Sequence, residues 1–211
     1  MTIVGSRCGG RFALAWLLLV FHGGVLADDD RPSPEWFVEL ADTLSPQLQA
    51  GDFVFRRGYG LVSDQIVRLL GEPRPLSHSG VVVEGTNGDW QVIHTISSAL
   101  SEVDGLRIEP LADFFQSAQR DSVYLVRLVE PSGHGQHMAA QAVQFLQEGR
   151  PFDHAFQLDT HALYCTELLW VLLPATVRVQ ASRLHPTLGI LLFDNFFDER
   201  FFKILPIPSI P

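Results

Sequence analysis

The sequence predicts an α+β fold in which an antiparallel sheet packs against helices. Two patterns favour this class: short runs of β-branched residues bounded by turn signals, and longer segments whose apolar residues recur at helical spacing. The hydrophobic content of 46% and the charged content of 18% are typical of a globular domain. The 211 residues show no fixed-period repeat and no break in composition, so we expect one domain with a sizeable core.

The N-terminal segment has the pattern of an export signal. Arg7 and Arg11 precede the apolar run 12–21, and small residues ending at Ala27 fit a cleavage site. The run is shorter than the roughly 20 residues that cross a bilayer. We therefore expect a signal peptide at 1–27 and an exported protein, periplasmic or extracellular. An uncleaved N-terminal anchor is the alternative.

A helix is predicted where the mature chain begins. Ser33 fits an N-cap, Pro34 fits the first helical position, and apolar residues then recur at helical spacing up to Leu44. Residues 28–49 would thus lead into a domain that spans 50–211.

The rest of the chain alternates between strand and helix patterns. Strands are predicted at 51–55, 79–84, 90–95 and 123–128. Helices are predicted at 63–71, 135–149 and 165–173, with a short helix at 110–119 inside a polar connection. Five phenylalanines crowd the segment 193–202, where we expect them to cover the core of the domain; a substrate lip or a membrane-facing patch is the alternative.

The turn between the second and third strands decides which side chains share a face. A two-residue turn at Asn87-Gly88 would pair Val81 with His94, and would put His78 and His94 on opposite faces. A five-residue loop would instead pair Gly80 with His94, and the two imidazoles would then lie diagonally on one face. The sequence leaves both registers open.

The charge balance argues against nucleic acid as a partner. The formal net charge is −9 and the isoelectric point is about 5.2, without a compensating basic cluster. An acidic surface repels a phosphate backbone.

Two cysteines are present, and export would leave only one of them. Cleavage after Ala27 removes Cys8, so the mature protein could not form an internal disulfide and would keep a lone thiol, Cys165. That residue begins a predicted helix, where backbone N–H groups favour a thiolate. It is either a reactive nucleophile or a small buried side chain.

Several short motifs carry a resemblance to a known family. In order, they are "GDFVF", "LSHSGVVVE", "VIHT", "GRPFDHAF" and "YCTELLW", across about residues 50–173. Their order is similar to that of the permuted papain-like cysteine hydrolases, the YiiX/YaeF-like group, relatives of NlpC-type peptidases and lecithin:retinol acyltransferase. The resemblance implies a circularly permuted papain-like (NlpC-type) fold.

The same resemblance implies roles for individual residues. Cys165 corresponds to the nucleophile, His78 to the general base, and His94 to a third polar residue that is Glu in several relatives. Tyr164 could line the pocket, donate to an oxyanion or simply pack. Structural roles are expected for three acidic residues, Asp153, Asp159 and Glu167.

The implied function is an exported cysteine hydrolase that cleaves an amide or ester bond through an acyl-enzyme. Cell-wall peptide such as peptidoglycan is the expected substrate. An acyl-lipid amidase or acyltransferase with the same site is the alternative, and would fit peripheral membrane contact by the aromatic tail. Two further hypotheses are a zinc hydrolase with His78, His94 and Cys165 as ligands, and an inactive ligand-binding module. The leading hypothesis requires no cofactor and no metal.

Overall fold

A computed structural model describes residues 31–158 and 161–210. Within these ranges the helices are α1 (Pro34–Leu44), α2 (Gly60–Leu70), α3 (Leu111–Gln116), α4 (Gly135–Gln147), α5 (Cys165–Leu172) and α6 (Ala175–Ala181). The strands are β1 (Phe53–Arg56), β2 (His78–Glu84), β3 (Trp90–Ile96), β4 (Gly105–Pro110), β5 (Tyr124–Leu128) and β6 (Phe202–Leu205). The predicted signal peptide and Asp159 lie outside the described residues.

The strands form one antiparallel sheet in the order β4-β3-β2-β1-β5-β6. Side chains that alternate along each strand enter two different layers. Phe53 and Val81 pack in a core with α4, α5 and α6. Val54 and Val82 pack in a second core with α1 and α3. Helices therefore cover both faces of the sheet.

The predicted N-terminal helix is confirmed, including its cap. Ser33 is the N-cap of α1, and its Oγ accepts a hydrogen bond from Trp36 N at 3.4 Å. The predicted start of the next helix is wrong, because α2 begins at Gly60 with Tyr59 as its N-cap rather than at Ser63.

Two strands, β4 and β6, were not predicted. The first lies in the segment that the sequence indicates to be a polar connection, and it forms the edge of the sheet beside β3. The second lies at the end of the aromatic tail and pairs with β5. The expectation that the tail covers the core is confirmed, because most of its rings are buried: Phe193, Phe196, Phe197 and Phe202.

No helix within residues 31–158 and 161–210 combines the length and the apolar character needed to cross a membrane.

Candidate active site

Cys165 lies at the N-terminus of α5, as predicted, and it is partly exposed. The segment before it is fixed to the sheet, because Thr95 Oγ1 on β3 donates a hydrogen bond to Leu163 O at 2.8 Å. One residue further on, Thr166 Oγ1 donates to Leu191 O at 3.0 Å. The first bond holds the start of α5 against the sheet, where the helix contacts β2 and β3, and the second joins the helix to the segment that precedes the phenylalanine-rich tail.

The surroundings of the Cys165 thiol favour its protonated form. Burial is the largest influence and raises the pKa to about 11. The backbone N–H groups of Cys165 and Thr166 lower the pKa, which is the predicted effect of the helix terminus. Desolvation outweighs them, so the resting thiol is neutral at pH 7.

Two residues that sequence reasoning missed influence this thiol. The buried Ser79 hydroxyl and the Ser79 backbone N–H both lower its pKa. The Arg56 guanidinium on β1 also interacts electrostatically with the thiolate. A sequence pattern does not reveal either contact, because both depend on how α5 crosses the sheet.

The two histidines of the β2–β3 hairpin are hydrogen-bonded to each other. Gly80 pairs with His94, and a five-residue loop from Gly85 to Asp89 joins the strands, so the longer of the two predicted loops is confirmed. His78 Nε2 lies 2.8 Å from His94 Nδ1, and the rings meet edge to face.

A carboxylate on β4 continues this chain of contacts. Glu109 Oε1 lies 3.0 Å from His94 Nε2, and Glu109 Oε2 accepts a hydrogen bond from Arg107. Burial raises the pKa of Glu109, but His94, Arg107 and Arg56 together lower it further, so its net pKa is below the ordinary value. Glu109 was missed because its strand was not predicted.

The Glu109 carboxylate beside His94 Nε2, together with the hydrogen bond between the two histidines, selects the tautomers of both imidazoles. Burial lowers the pKa of His94 and lowers that of His78 well below 6.5, so both rings are neutral at pH 7. An ionised Glu109 only accepts, so His94 carries its proton on Nε2 and accepts at Nδ1. His78 must then donate from Nε2. Its Nδ1 is left with a free lone pair, the state that a general base requires.

Phe114 on α3 packs against both imidazoles. Its ring stacks on His78 at 5.6 Å between centroids and meets His94 edge to face at 5.4 Å. The guanidinium carbon of Arg56 lies 4.8 Å from the centre of the same ring. The histidines are thus held in one orientation on the α3 side of the sheet.

Cys165 and His78 lie on opposite faces of the sheet, next to consecutive residues of β2. Ser79 faces the α5 side and flanks the thiol, whereas His78 faces the α3 side at the first position of the strand. Within the described part of the chain, no hydrogen bond joins Cys165 to His78, and none involves His78 Nδ1. The thiol and the imidazole are therefore not in direct contact in the resting protein, and what they share is an electrostatic interaction with Arg56 near the start of β2.

The contacts of the remaining candidates are structural ones. The Tyr164 ring is buried against Phe156, and its hydroxyl oxygen accepts a hydrogen bond from Leu191 N at 3.1 Å. Asp153 accepts hydrogen bonds from two backbone N–H groups of its own loop, those of Ala155 and Gln157. Glu167 is fully buried in α5.

The arrangement does not suit a zinc ion bound by His78, His94 and Cys165. His78 Nε2 and His94 Nδ1 bond to each other, and His94 Nε2 is engaged by Glu109, so His94 has no nitrogen free to act as a ligand. Among residues 31–158 and 161–210, no group of three or more His, Cys, Asp or Glu side chains could hold a metal ion.

A family model matches residues 47–195, which include all the site residues described above. It describes permuted papain-like amidase enzymes of the YaeF/YiiX group, family C92. The chain belongs to this family. Membership confirms the predicted resemblance. It also confirms the predicted enzyme class, a cysteine hydrolase of the amidase type.

The fold is also similar to that of a solved structure, the metalloprotein YiiX from Escherichia coli O157:H7. The TM-score is 0.57 at 16% identity, and the similarity covers 77% of this chain and 98% of the other. This confirms the predicted permuted papain-like fold with its antiparallel sheet and helices. No curated protein matches the sequence.

Proposed function

We propose that this amidase-family protein cleaves its substrate through an acyl-enzyme on Cys165, with His78 as the general base. The observation that carries the proposal is the hydrogen bond from His78 to His94 together with the Glu109 carboxylate 3.0 Å from His94 Nε2, an arrangement that leaves His78 Nδ1 with a free lone pair. His94 and Glu109 position His78 and stabilise the charge that it acquires. The third residue of the site is therefore an imidazole supported by a carboxylate.

The reaction begins from neutral partners. Because burial raises the pKa of Cys165 and lowers that of His78, the thiol loses its proton as it attacks the carbonyl carbon. The proton moves to His78 Nδ1, and the C–S bond forms as the carbonyl becomes an oxyanion. Backbone N–H groups at the start of α5, including that of Cys165, would stabilise this oxyanion.

Collapse of the tetrahedral intermediate breaks the C–N bond of the substrate. The leaving amine takes the proton from His78, and Cys165 keeps the acyl group as a thioester. Water then attacks the thioester, His78 removes a proton from it, and the thiol is released with the carboxylic acid.

We further propose cell-wall peptide such as peptidoglycan as the substrate, in an exported protein whose signal peptide is residues 1–27. The N-terminal pattern of basic and apolar residues supports export. An acyl-lipid substrate has less support, because most of the phenylalanine side chains that would contact a lipid are buried in the core.

Trapping the thioester tests the nucleophile, the reaction type and the substrate class together. Purified protein is incubated with cell-wall peptides or with acyl-lipids, and mass spectrometry locates any added acyl group. We expect the group on Cys165, and we expect Cys165→Ala to abolish turnover. His78→Gln should reduce turnover on the order of 10²-fold or more, because the general base is lost.

His137→Gln is the matched control, since His137 is exposed on α4 and lies outside the site. It should leave turnover unchanged. Activity that survives Cys165→Ala would refute the proposed nucleophile.

A further inference from the structure

Arg56 places a guanidinium group beside the proposed catalytic residues. It pairs with His78 in the β1–β2 register and lies on the same face of the sheet. Its NH1 group donates a hydrogen bond to Ser117 O at 2.8 Å, and its planar end stacks on Phe114. The side chain interacts electrostatically with both the Cys165 thiolate and Glu109.

The guanidinium group of Arg56 has hydrogen-bond donors without a partner. Its Nε is buried and has no hydrogen-bond partner among the described residues. No carboxylate within residues 31–158 and 161–210 lies at ion-pair distance from Arg56. The neighbouring Arg57 also has an unpartnered Nε, but its NH2 group pairs with Asp64 at 2.9 Å. A buried cation is ordinarily matched by an acceptor. We therefore expect the unpartnered N–H donors of Arg56 to bind an anion that does not belong to this chain.

The local charge balance supports the same conclusion. Arg56 and Arg107 contribute two positive charges, Glu109 contributes one negative charge, and the two histidines are neutral at pH 7. The site thus carries a net positive charge in a protein whose formal net charge is −9. A locally positive site in an acidic protein attracts an anionic substrate and repels a cationic one.

We propose that Arg56 binds a carboxylate group of the substrate, and that the enzyme prefers acyl compounds with a free carboxylate close to the bond it cleaves. A guanidinium group binds a carboxylate through two parallel N–H donors, and the unpartnered Nε belongs to such a pair. The inference rests on the proposed role of Cys165 as the nucleophile, and it assigns a specificity-determining residue to that site.

Two alkylating reagents of nearly the same size test this without knowledge of the substrate. Iodoacetate carries a carboxylate and iodoacetamide carries a neutral amide, and both alkylate a thiolate. The rates at Cys165 are measured at about pH 8 by peptide mass spectrometry, and each is divided by its rate with free cysteine. We expect the corrected iodoacetate-to-iodoacetamide ratio to fall about tenfold in Arg56→Gln, the size of one charge-assisted hydrogen bond.

Two further variants make the result specific. Arg56→Lys keeps the charge but not the paired donors, so its ratio should fall between those of the wild type and Arg56→Gln. Arg57→Gln removes the same charge from an arginine that already has a partner, and its ratio should match that of the wild type. Thermal unfolding of each variant confirms that it is folded.

The outcomes separate the inference from the proposed function. An unchanged ratio in a folded Arg56→Gln variant would overturn carboxylate binding. A parallel fall in both rates would also overturn it, because Arg56 would then act on the thiol and not on the reagent. If neither reagent modifies Cys165 in the wild type, the proposed nucleophile fails, and the role of Arg56 fails with it.

Discussion

Among single residues, Glu109 can be tested for an effect on catalysis without an effect on substrate binding. It contacts His94, and of these two residues only His94 contacts His78. The substitution Glu109→Gln keeps the shape of the side chain but removes the negative charge that stabilises a histidine cation. We expect kcat to fall on the order of 10²-fold while KM changes little. Steady-state kinetics on an amide that the wild type cleaves will measure both.

The pH profile of the same variant distinguishes positioning from a general loss of structure. The acid limb of kcat reports the protonation of the proposed base, His78, which is hydrogen-bonded to His94. Glu109 raises the pKa of His94, so its removal should make a cation on this histidine pair less favourable and move the acid limb to lower pH. Glu84→Gln is the control, since Glu84 is exposed at the other end of β2. Unchanged kcat in Glu109→Gln would show that the carboxylate has no catalytic influence.

At the scale of elements, the register between strands decided which predicted residues came together. The sequence identified His78 and His94, but the pair at Asn87-Gly88 favoured a tight turn that would have separated them. The five-residue loop sets the register in which Gly80 pairs with His94, and only this register allows the observed contact between the His78 and His94 side chains. Glu109 lies in a run, 106–109, that does alternate between apolar and polar residues, but four residues do not reveal which strand they pair with or that the carboxylate reaches His94.

Gly80 is the point at which β2 and β3 approach most tightly near the site. A Cβ atom there would lie 2.4 Å from Val92 Cγ1, 3.0 Å from Ile93 O and 3.2 Å from His94 Cβ. Gly80→Ala should therefore push the strands apart and lengthen the contact between the imidazoles. We expect a loss of about 1–3 kcal/mol in the free energy of unfolding, measured by chemical denaturation, and a fall in kcat.

A second glycine separates the effect on the site from the effect on stability. Gly88 lies in the β2–β3 loop at φ +79°, and no atom lies within 4 Å of the place that a Cβ would occupy. Gly88→Ala therefore introduces backbone strain without a steric clash. It should reduce stability without reducing kcat once the protein is folded. Equal kcat in the two variants would show that the spacing at Gly80 does not matter for activity.

For the whole molecule, the sequence predicted the class of fold and most of its elements, while the edges of the sheet were not predicted. Strands β4 and β6 lie at the two edges of the sheet, and their pairing with β3 and β5 does not follow from their own sequences. The phenylalanine-rich tail was correctly predicted to be buried, because so many aromatic side chains require a core. The end of this tail forms β6 because it pairs with β5, and the sequence of the tail alone does not reveal that pairing.

The buried histidines also link the stability of the whole domain to pH. Burial lowers the pKa values of His78 and His94 from 6.5, so the unfolded chain binds more protons than the folded one below that pH. The stability associated with them is fully present above pH 6.5 and is lost as the pH falls toward their folded pKa values. Glu109 contributes separately, because its lowered pKa places the loss of its contribution below pH 4.5.

We therefore expect the thermal unfolding midpoint to fall as the pH is lowered from 6.5 toward 5, before carboxylates are protonated. Each proton taken up on unfolding removes about 1.4 kcal/mol per pH unit, and the two histidines can each contribute. In a folded His78→Gln/His94→Gln double variant neither side chain titrates, so the midpoint should depend much less on pH in this window. His137→Gln, which removes an exposed histidine, should keep the wild-type slope. Equal slopes in the wild type and the double variant would contradict the neutral, buried state on which the proposed proton transfer depends.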